Sequence, residues 1–308
     1  MSDAQPKNVA ASVRNRLLNI SREQREDFQL VLIRYALERM LFRLSRSDYS
    51  DQFVLKGATL FQVWSGERHR PTRDIDFLGH GEPSEARFEK IFYDICDTEV
   101  DDDGVKFDAT SIQGRTMKEE EKYQGIRIKL NAFLDSARIP VQVDIGFGDA
   151  ITPEAIEIEY PVILDFAAPK LSAYPRETVV AEKFQAMVML GISNSRMKDF
   201  FDLWKLANQF EFDGTVLSKA IQATFERRET QVPDTAPLAL TAEFTNDKQK
   251  TFQWTAFINK TGLDATEHAL AAIAAELEQF LMPPSKAISA KVGFDKSWSP
   301  GGPWGTSD

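Results

Sequence analysis

Apolar and polar positions follow a helical period over the first part of the chain, a period of two in the middle and a helical period again to the end. Phe28, Val31, Leu32, Tyr35, Met40, Leu41 and Leu44 recur at helical spacing. Ser21-Arg22-Glu23-Gln24 ahead of them has the form of a capping box, so the pattern predicts one long amphipathic helix from Ser21 to roughly Arg46. A second helix is predicted from Phe53 to Trp64, closed by Ser65-Gly66. A basic turn follows, Arg68-His69-Arg70-Pro71-Thr72-Arg73, and then a short strand from Asp74 to Leu78. Phe88, Ile91, Phe92 and Ile95 mark a helix between Ser84 and Asp97.

From residue 105 to 147 the period is two: Val105-Lys106-Phe107, Ile126-Arg127-Ile128-Lys129-Leu130 and Val141-Gln142-Val143-Asp144-Ile145 alternate as strands covered on one face do. Past the turn-rich stretch Ala167 to Pro175 the alternation stops, and helices are expected at about 176–190, 196–209, 214–228, 249–260 and 265–281. Mixed α and β followed by helices alone predicts an α+β chain in two lobes. The expected division is an N-terminal domain over residues 1–168 and a helical domain over 169–283. Residues 284–308, after Pro283-Pro284, read as a flexible tail whose two tryptophans, Trp298 and Trp304, are its candidates for docking.

Composition narrows the chemistry. With 308 residues, 43% hydrophobic and 27% charged, the chain is globular. Its formal charge of −10 argues against coating nucleic acid by bulk attraction, so any RNA contact needs a local basic site. Cys96 is the only cysteine, which excludes an intramolecular disulfide and a thiolate zinc site, and His69, His80 and His268 lack zinc-ligand spacing. No apolar run has the length of a signal peptide or a membrane span, so a cytoplasmic protein with no membrane partner is expected.

Asp74-Ile75-Asp76-Phe77 is the first candidate for catalysis. Alternation on a strand puts Asp74 and Asp76 on one face, where two carboxylates repel unless a cation sits between them. Hard oxygen ligands in this number suit Mg²⁺. A solvated strand edge would show the same pair, and nucleases and glycosyltransferases also use Asp-x-Asp. Upstream, Lys56-Gly57-Ala58-Thr59 lies at the start of a helix, where backbone N–H groups can hold a phosphate. Downstream, Asp144 opposes the apolar side of its strand and could act as a third carboxylate. Lys183 falls in an apolar stripe with Val179, Val180, Ala186 and Met187, so it either snorkels to solvent or meets an anion. On the next helix Arg196, Lys198, Asp199 and Asp202 cluster within two turns.

In this order, Gly57-Ala58, Asp74-Ile75-Asp76, Val143-Asp144-Ile145, Lys183 and the motif from Arg196 to Leu203 resemble the AbiEii/AbiGii nucleotidyltransferase toxins, members of the polymerase-β-like nucleotidyltransferase superfamily. The resemblance runs from about Asn8 to Phe280 and takes in Phe53-Val-Leu-Lys-Gly-Ala-Thr-Leu-Phe and Arg70-Pro-Thr-Arg-Asp-Ile-Asp. It implies a polymerase-β-like core with a small mixed sheet, an all-helical C-terminal lobe, and a toxin of a toxin–antitoxin pair active in phage defence. It further implies that Asp74 and Asp76 bind Mg²⁺, or Mn²⁺ in its place, with Asp144 assisting. Lys183 would contact the phosphates of an NTP, and Asp199 would be the acid required in the last motif, with Asp202, Arg196 and Lys198 beside it.

Gly57, Ala58 and Thr59 would bind the nucleotide; Ala58 stands where the family has Gly or Ser, which shifts any side-chain phosphate contact to Thr59. The implied reaction is transfer of a nucleoside monophosphate to an RNA, with the tRNA 3′ end as acceptor, so that translation is blocked. A cognate antitoxin encoded nearby is the implied partner. The basic turn, Arg73 included, is the candidate contact for the RNA backbone. Two other readings stay open from sequence: a nucleotide- or partner-binding module of the same fold without catalysis, and another Asp-x-Asp metal enzyme such as a nuclease.

Overall fold

The computed structural model describes residues 8–66, 69–119, 123–261 and 268–306; Arg68 of the basic turn lies outside them. The chain forms two compact units, one of residues 1–148 with 156–173 and one of residues 149–155 with 174–308. The division falls after Ala173, later than the expected break at residue 168, because Lys170–Ala173 is a strand of the first unit's sheet.

The first unit opens with a helix the pattern did not separate, α1 (Val9–Glu23), capped by Asn8, whose side chain accepts from the Ala11 N–H at 3.0 Å. Ser21 sits in the last turn of α1, where its Oγ donates to the Glu26 carbonyl at 2.7 Å. The capping-box sequence therefore closes one helix instead of opening the next. α2 (Phe28–Arg46) begins one turn later under Asp27, which accepts from the Leu30 N–H. It is buried on most sides, and its buried charges are paired: Arg39 with Glu38 at 2.7 Å and Arg43 with Asp103 at 2.7 Å. Burial pushes Glu38 up to about 7 despite the attraction of Arg39.

The helix expected over Phe53 to Trp64 is three pieces: β1 (Phe53–Lys56), a turn at Gly57, and the six-residue α3 (Leu60–Ser65). A continuous apolar run fits a buried helix and a central strand equally well, and here the strand wins. β1 lies between β2 (Ile75–Gly79), antiparallel, and β7 (Lys170–Ala173), parallel. The remaining elements are α4 (Glu85–Cys96), β3 (Val105–Glu119), β4 (Tyr123–Leu134), β5 (Ala137–Phe147) and β6 (Ile156–Glu159). The mixed sheet has seven strands in the order β3-β4-β5-β2-β1-β7-β6, with β2 and β5 parallel. Ile126, Ile128, Leu130, Val141, Val143 and Ile145 are buried on one face of β4 and β5, and α1, α2 and α4 pack on the sheet. The intervening residues form a polar face.

The second unit is helical: α5 (Arg176–Leu190), α6 (Met197–Gln209), α7 (Gly214–Arg227), the short α8 (Ala242–Thr245), α9 (Lys248–Thr261) and α10 (Leu270–Ser289). Its C-terminal segment corrects the flexible-tail expectation. α10 continues through Pro283 and Pro284, its surroundings buried and the Ser285 hydroxyl donating to the Pro233 carbonyl. Beyond it β9 (Lys296–Trp298) pairs with β10 (Trp304–Thr306) and with β8 (Phe212–Asp213), between α6 and α7. Trp298 is 3% exposed and donates its indole N–H to the Ala207 carbonyl, and the Trp304 indole donates to the Phe280 carbonyl. The two indoles thus supply the burial and hydrogen bonds that the Pro/Gly-rich composition concealed. Among the described residues no helix is long and apolar enough to cross a membrane.

Candidate active site

The register of the sheet assembles the first half of the site. Asp76 on β2 pairs with Lys56 on β1 and with Asp144 on β5. Arg127 on β4 pairs with Asp144, and Arg115 on β3 pairs with Arg127, so one row of charged residues crosses five strands. Asp74 precedes β2 by one residue, on the same side as Asp76 by strand alternation, and accepts from the Thr72 hydroxyl at 2.9 Å.

Gly57 sets the position of the Asp76 carboxylate. Its φ of +83° is left-handed, and a Cβ there would collide with the Asp76 carboxylate. The glycine is required both by the turn and by the side chain packed on it. Ala58 and Thr59 continue into α3 and are 8% and 5% exposed. The Thr59 hydroxyl points back to the Lys56 carbonyl at 3.4 Å, so it does not present the outward phosphate contact expected of it.

Asp144 is in register with Asp76, but its carboxylate is engaged by another group. Arg127 grips it bidentately, Nε to Oδ1 at 2.7 Å and Nη2 to Oδ2 at 2.6 Å, with the Gln142 amide at 3.3 Å. The Asp144 contact raises the Arg127 pKa against a smaller burial effect, and the fields of Asp74 and Asp76 add to it. Among the described residues no group of three or more His, Cys, Asp or Glu is arranged to hold a metal ion. Asp74 and Asp76 are the candidate pair, with Asp144 beside Asp76 in register and held by Arg127.

Of the basic turn, His69 stacks on Phe61 with ring centroids 3.8 Å apart, and Arg73 is exposed.

The other candidate residues belong to the second unit. Lys183 on α5 is flanked by buried Val179, Val180, Ala186 and Met187, as its stripe predicts, and its side chain is 12% exposed. It does not snorkel; it meets two anions. Its Nζ lies 2.6 Å from Asp199 Oδ1 and 2.9 Å from Asp202 Oδ2 on α6. Both aspartates are fully buried, and Arg196 Nε approaches Asp199 Oδ2 at 2.7 Å. Burial pushes the Asp199 carboxyl up, but Lys183 and Arg196 outweigh it and hold the pKa below the usual carboxylate range. Asp199 also lies in the first turn of α6, where the helix dipole favours an anion. Lys198 is exposed.

Sequence reasoning did not single out Arg127 or Lys56 as members of the row. For Arg127 the signal was present: the alternation of Ile126-Arg127-Ile128 that predicts β4 puts Arg127 on the same polar face as Asp144.

In the first unit Asp76 packs on Gly57 two residues after Asp74, and in the second Lys183 meets Asp199 and Asp202. The chain belongs to the family described as nucleotidyl transferase AbiEii toxin of type IV toxin–antitoxin systems, which matches residues 39–277. Among solved structures it is similar to JHP933 from Helicobacter pylori, at 15% identity over 84% of this chain and 93% of that one, with a TM-score of 0.47. It is also similar to an H. pylori protein described as a candidate nucleotidyltransferase, at 14% identity over 84% of this chain and 96% of that one, with a TM-score of 0.46. No match was found among curated proteins.

Proposed function

We propose that this protein transfers a nucleoside monophosphate from an NTP to a hydroxyl at the 3′ end of an RNA, with tRNA as the acceptor, and thereby blocks translation. The family supplies nucleotidyl transfer. The observation that carries the site is the Asp76 carboxylate packed on Gly57, two residues from Asp74. Two hard carboxylates at the start of β2, Asp74 just before it and Asp76 within it, fit Mg²⁺, which takes few protein ligands and leaves room for water and substrate phosphates. When bound, Mg²⁺ or Mn²⁺ supplies charge neutralisation at the reacting phosphate and the departing pyrophosphate.

Asp74 and Asp76 hold the ion, and the turn from Gly57 to Thr59 offers backbone to the triphosphate. Asp144 is the third carboxylate, in register with Asp76 and held by Arg127. In the second unit Asp199 and Asp202 act as positioning residues that fix the Lys183 ammonium group, that unit's candidate contact for phosphate. The acceptor hydroxyl loses its proton as its oxygen bonds to the α-phosphorus, and the bond to pyrophosphate breaks. Positioning and electrostatics provide the rate. A cognate antitoxin completes the system.

Incubation with each α-labelled NTP, Mg²⁺ and total tRNA, followed by sequencing of RNA 3′ ends, tests this reading. The expected result is label at the 3′ ends with release of pyrophosphate. Cleavage of RNA without NTP would mark a nuclease, and absence of transfer from every NTP would mark a binding module.

A further inference from the structure

We propose that the polar face of β3, β4 and β5 is a platform for single-stranded RNA leading to the carboxylate row; this rests on the reading of RNA as acceptor. In β4 and β5 every second side chain is buried, so Arg127, Lys129, Asn131 and Phe133 share the opposite face of β4. Pairing extends that face across its neighbours. Lys129 pairs with Gln142 and Gln113, and Phe133 pairs with Arg138 and Lys106. The face therefore begins at the Asp144–Arg127 pair and ends at an aromatic ring between two cations. Six residues of strand separate the two ends, roughly 20 Å at about 3.4 Å per residue.

Charge and exposure give this face its ligand class. It carries five basic side chains (Lys106, Arg115, Arg127, Lys129 and Arg138) against two carboxylates, Asp108 and Asp144, in a chain of formal charge −10. Lys106, Arg115, Lys129 and Arg138 are exposed, and Phe133 is 39% exposed. Cations track a phosphate backbone and an accessible ring stacks on a base, the combination that binds single strands without base-specific readout. A protein repelling phosphate as a whole needs such a local field to guide the acceptor to its site. The face is distinct from the basic turn around Arg73.

The test is fluorescence anisotropy of the full chain with a short labelled single-stranded RNA of mixed sequence, between about 50 and 200 mM salt. A Lys106→Ala/Lys129→Ala/Arg138→Ala variant should lower the slope of log affinity against log salt by about 2, since each lost phosphate contact removes about 0.7 for a single strand. Phe133→Ala should weaken binding about five- to a hundredfold with the slope unchanged, and Phe133→Trp should restore it. Wild-type affinity and slope in both alanine variants, from a protein that binds the RNA, would overturn the platform and leave the RNA acceptor standing. Failure of the wild type to bind or label RNA while it still binds NTP would overturn both.

Discussion

Lys183→Met is the most informative single change, because the geometry makes it a stability lesion as well as a loss of charge. Methionine preserves the packing of the stem among Val179, Val180, Ala186 and Met187. It removes the ammonium that lies 2.6 Å from Asp199 and 2.9 Å from Asp202, both fully buried. Removing one partner of a buried ion pair costs about 3–5 kcal/mol, against a typical domain stability of about 5–15 kcal/mol. Arg196 stays beside Asp199, which argues for the lower end. For a unit of this size the melting temperature should drop by about 10 °C.

The pH dependence carries a sign that a simple packing defect lacks. In the wild type the Asp199 pKa is depressed, so its contribution is present above its unfolded value of about 3.9 and is lost as pH falls through the folded value. Without Lys183, burial dominates and the cluster's carboxyl pKa rises above the unfolded value. Ionisation then costs stability at neutral pH, and acidification relieves that cost. The melting deficit of Lys183→Met should therefore narrow from pH 7 to pH 5 by circular dichroism. Lys183→Met combined with Asp199→Asn and Asp202→Asn should recover most of the loss, since no ionised carboxylate of the cluster stays buried, and NTP titration of that variant then isolates the phosphate contact. Melting of Lys183→Met within about 2 °C of the wild type, or a deficit that does not change with pH, would refute this reasoning.

Gly57→Ala and Gly66→Ala both place a side chain at positive φ, +83° and +67°, but a Cβ at Gly66 meets nothing within 4 Å whereas one at Gly57 strikes the Asp76 carboxylate. Both should lose about 1–3 kcal/mol by urea denaturation, and Gly57→Ala alone should also lose NTP-dependent transfer. Trp298→Ala should cost about 3–5 kcal/mol in the same assay, because it empties a buried site and leaves the Ala207 carbonyl without the indole donor; a cost below about 0.5 kcal/mol would mean the C-terminal strands add nothing to the helical unit.

What could be read from the sequence was what repeats. Period-two alternation gave β4 and β5 and the face of Asp144, and the apolar stripe of α5 correctly made Lys183 meet an anion or leave. Three features were hidden by local ambiguity. The apolar run at Phe53 suits strand and helix alike, and only its place between β2 and β7 decides. Ser21-x-x-Gln24 has cap chemistry, yet Asn8 and Asp27 do the capping. The segment after Pro283-Pro284 looked like a tail because Pro and Gly weaken helix propensity, while its stability comes from contacts of Trp298 and Trp304 with residues far back in the chain. The site was legible as a set of acids; their partners were not, since Arg127–Asp144 and Lys183–Asp202 join different elements.

The central claim, that Asp76 on Gly57 together with Asp74 is the centre of nucleotidyl transfer, is tested most directly by label transfer from an α-labelled NTP to tRNA by the wild type and by Asp76→Asn, with folding of both checked by melting. The account predicts labelled tRNA from the wild type, none when the divalent ion is chelated, and a loss of about a hundred- to a thousandfold in the folded Asp76→Asn protein, the scale of removing a principal electrostatic contact to the transition state. Transfer by folded Asp76→Asn at the wild-type rate would contradict it.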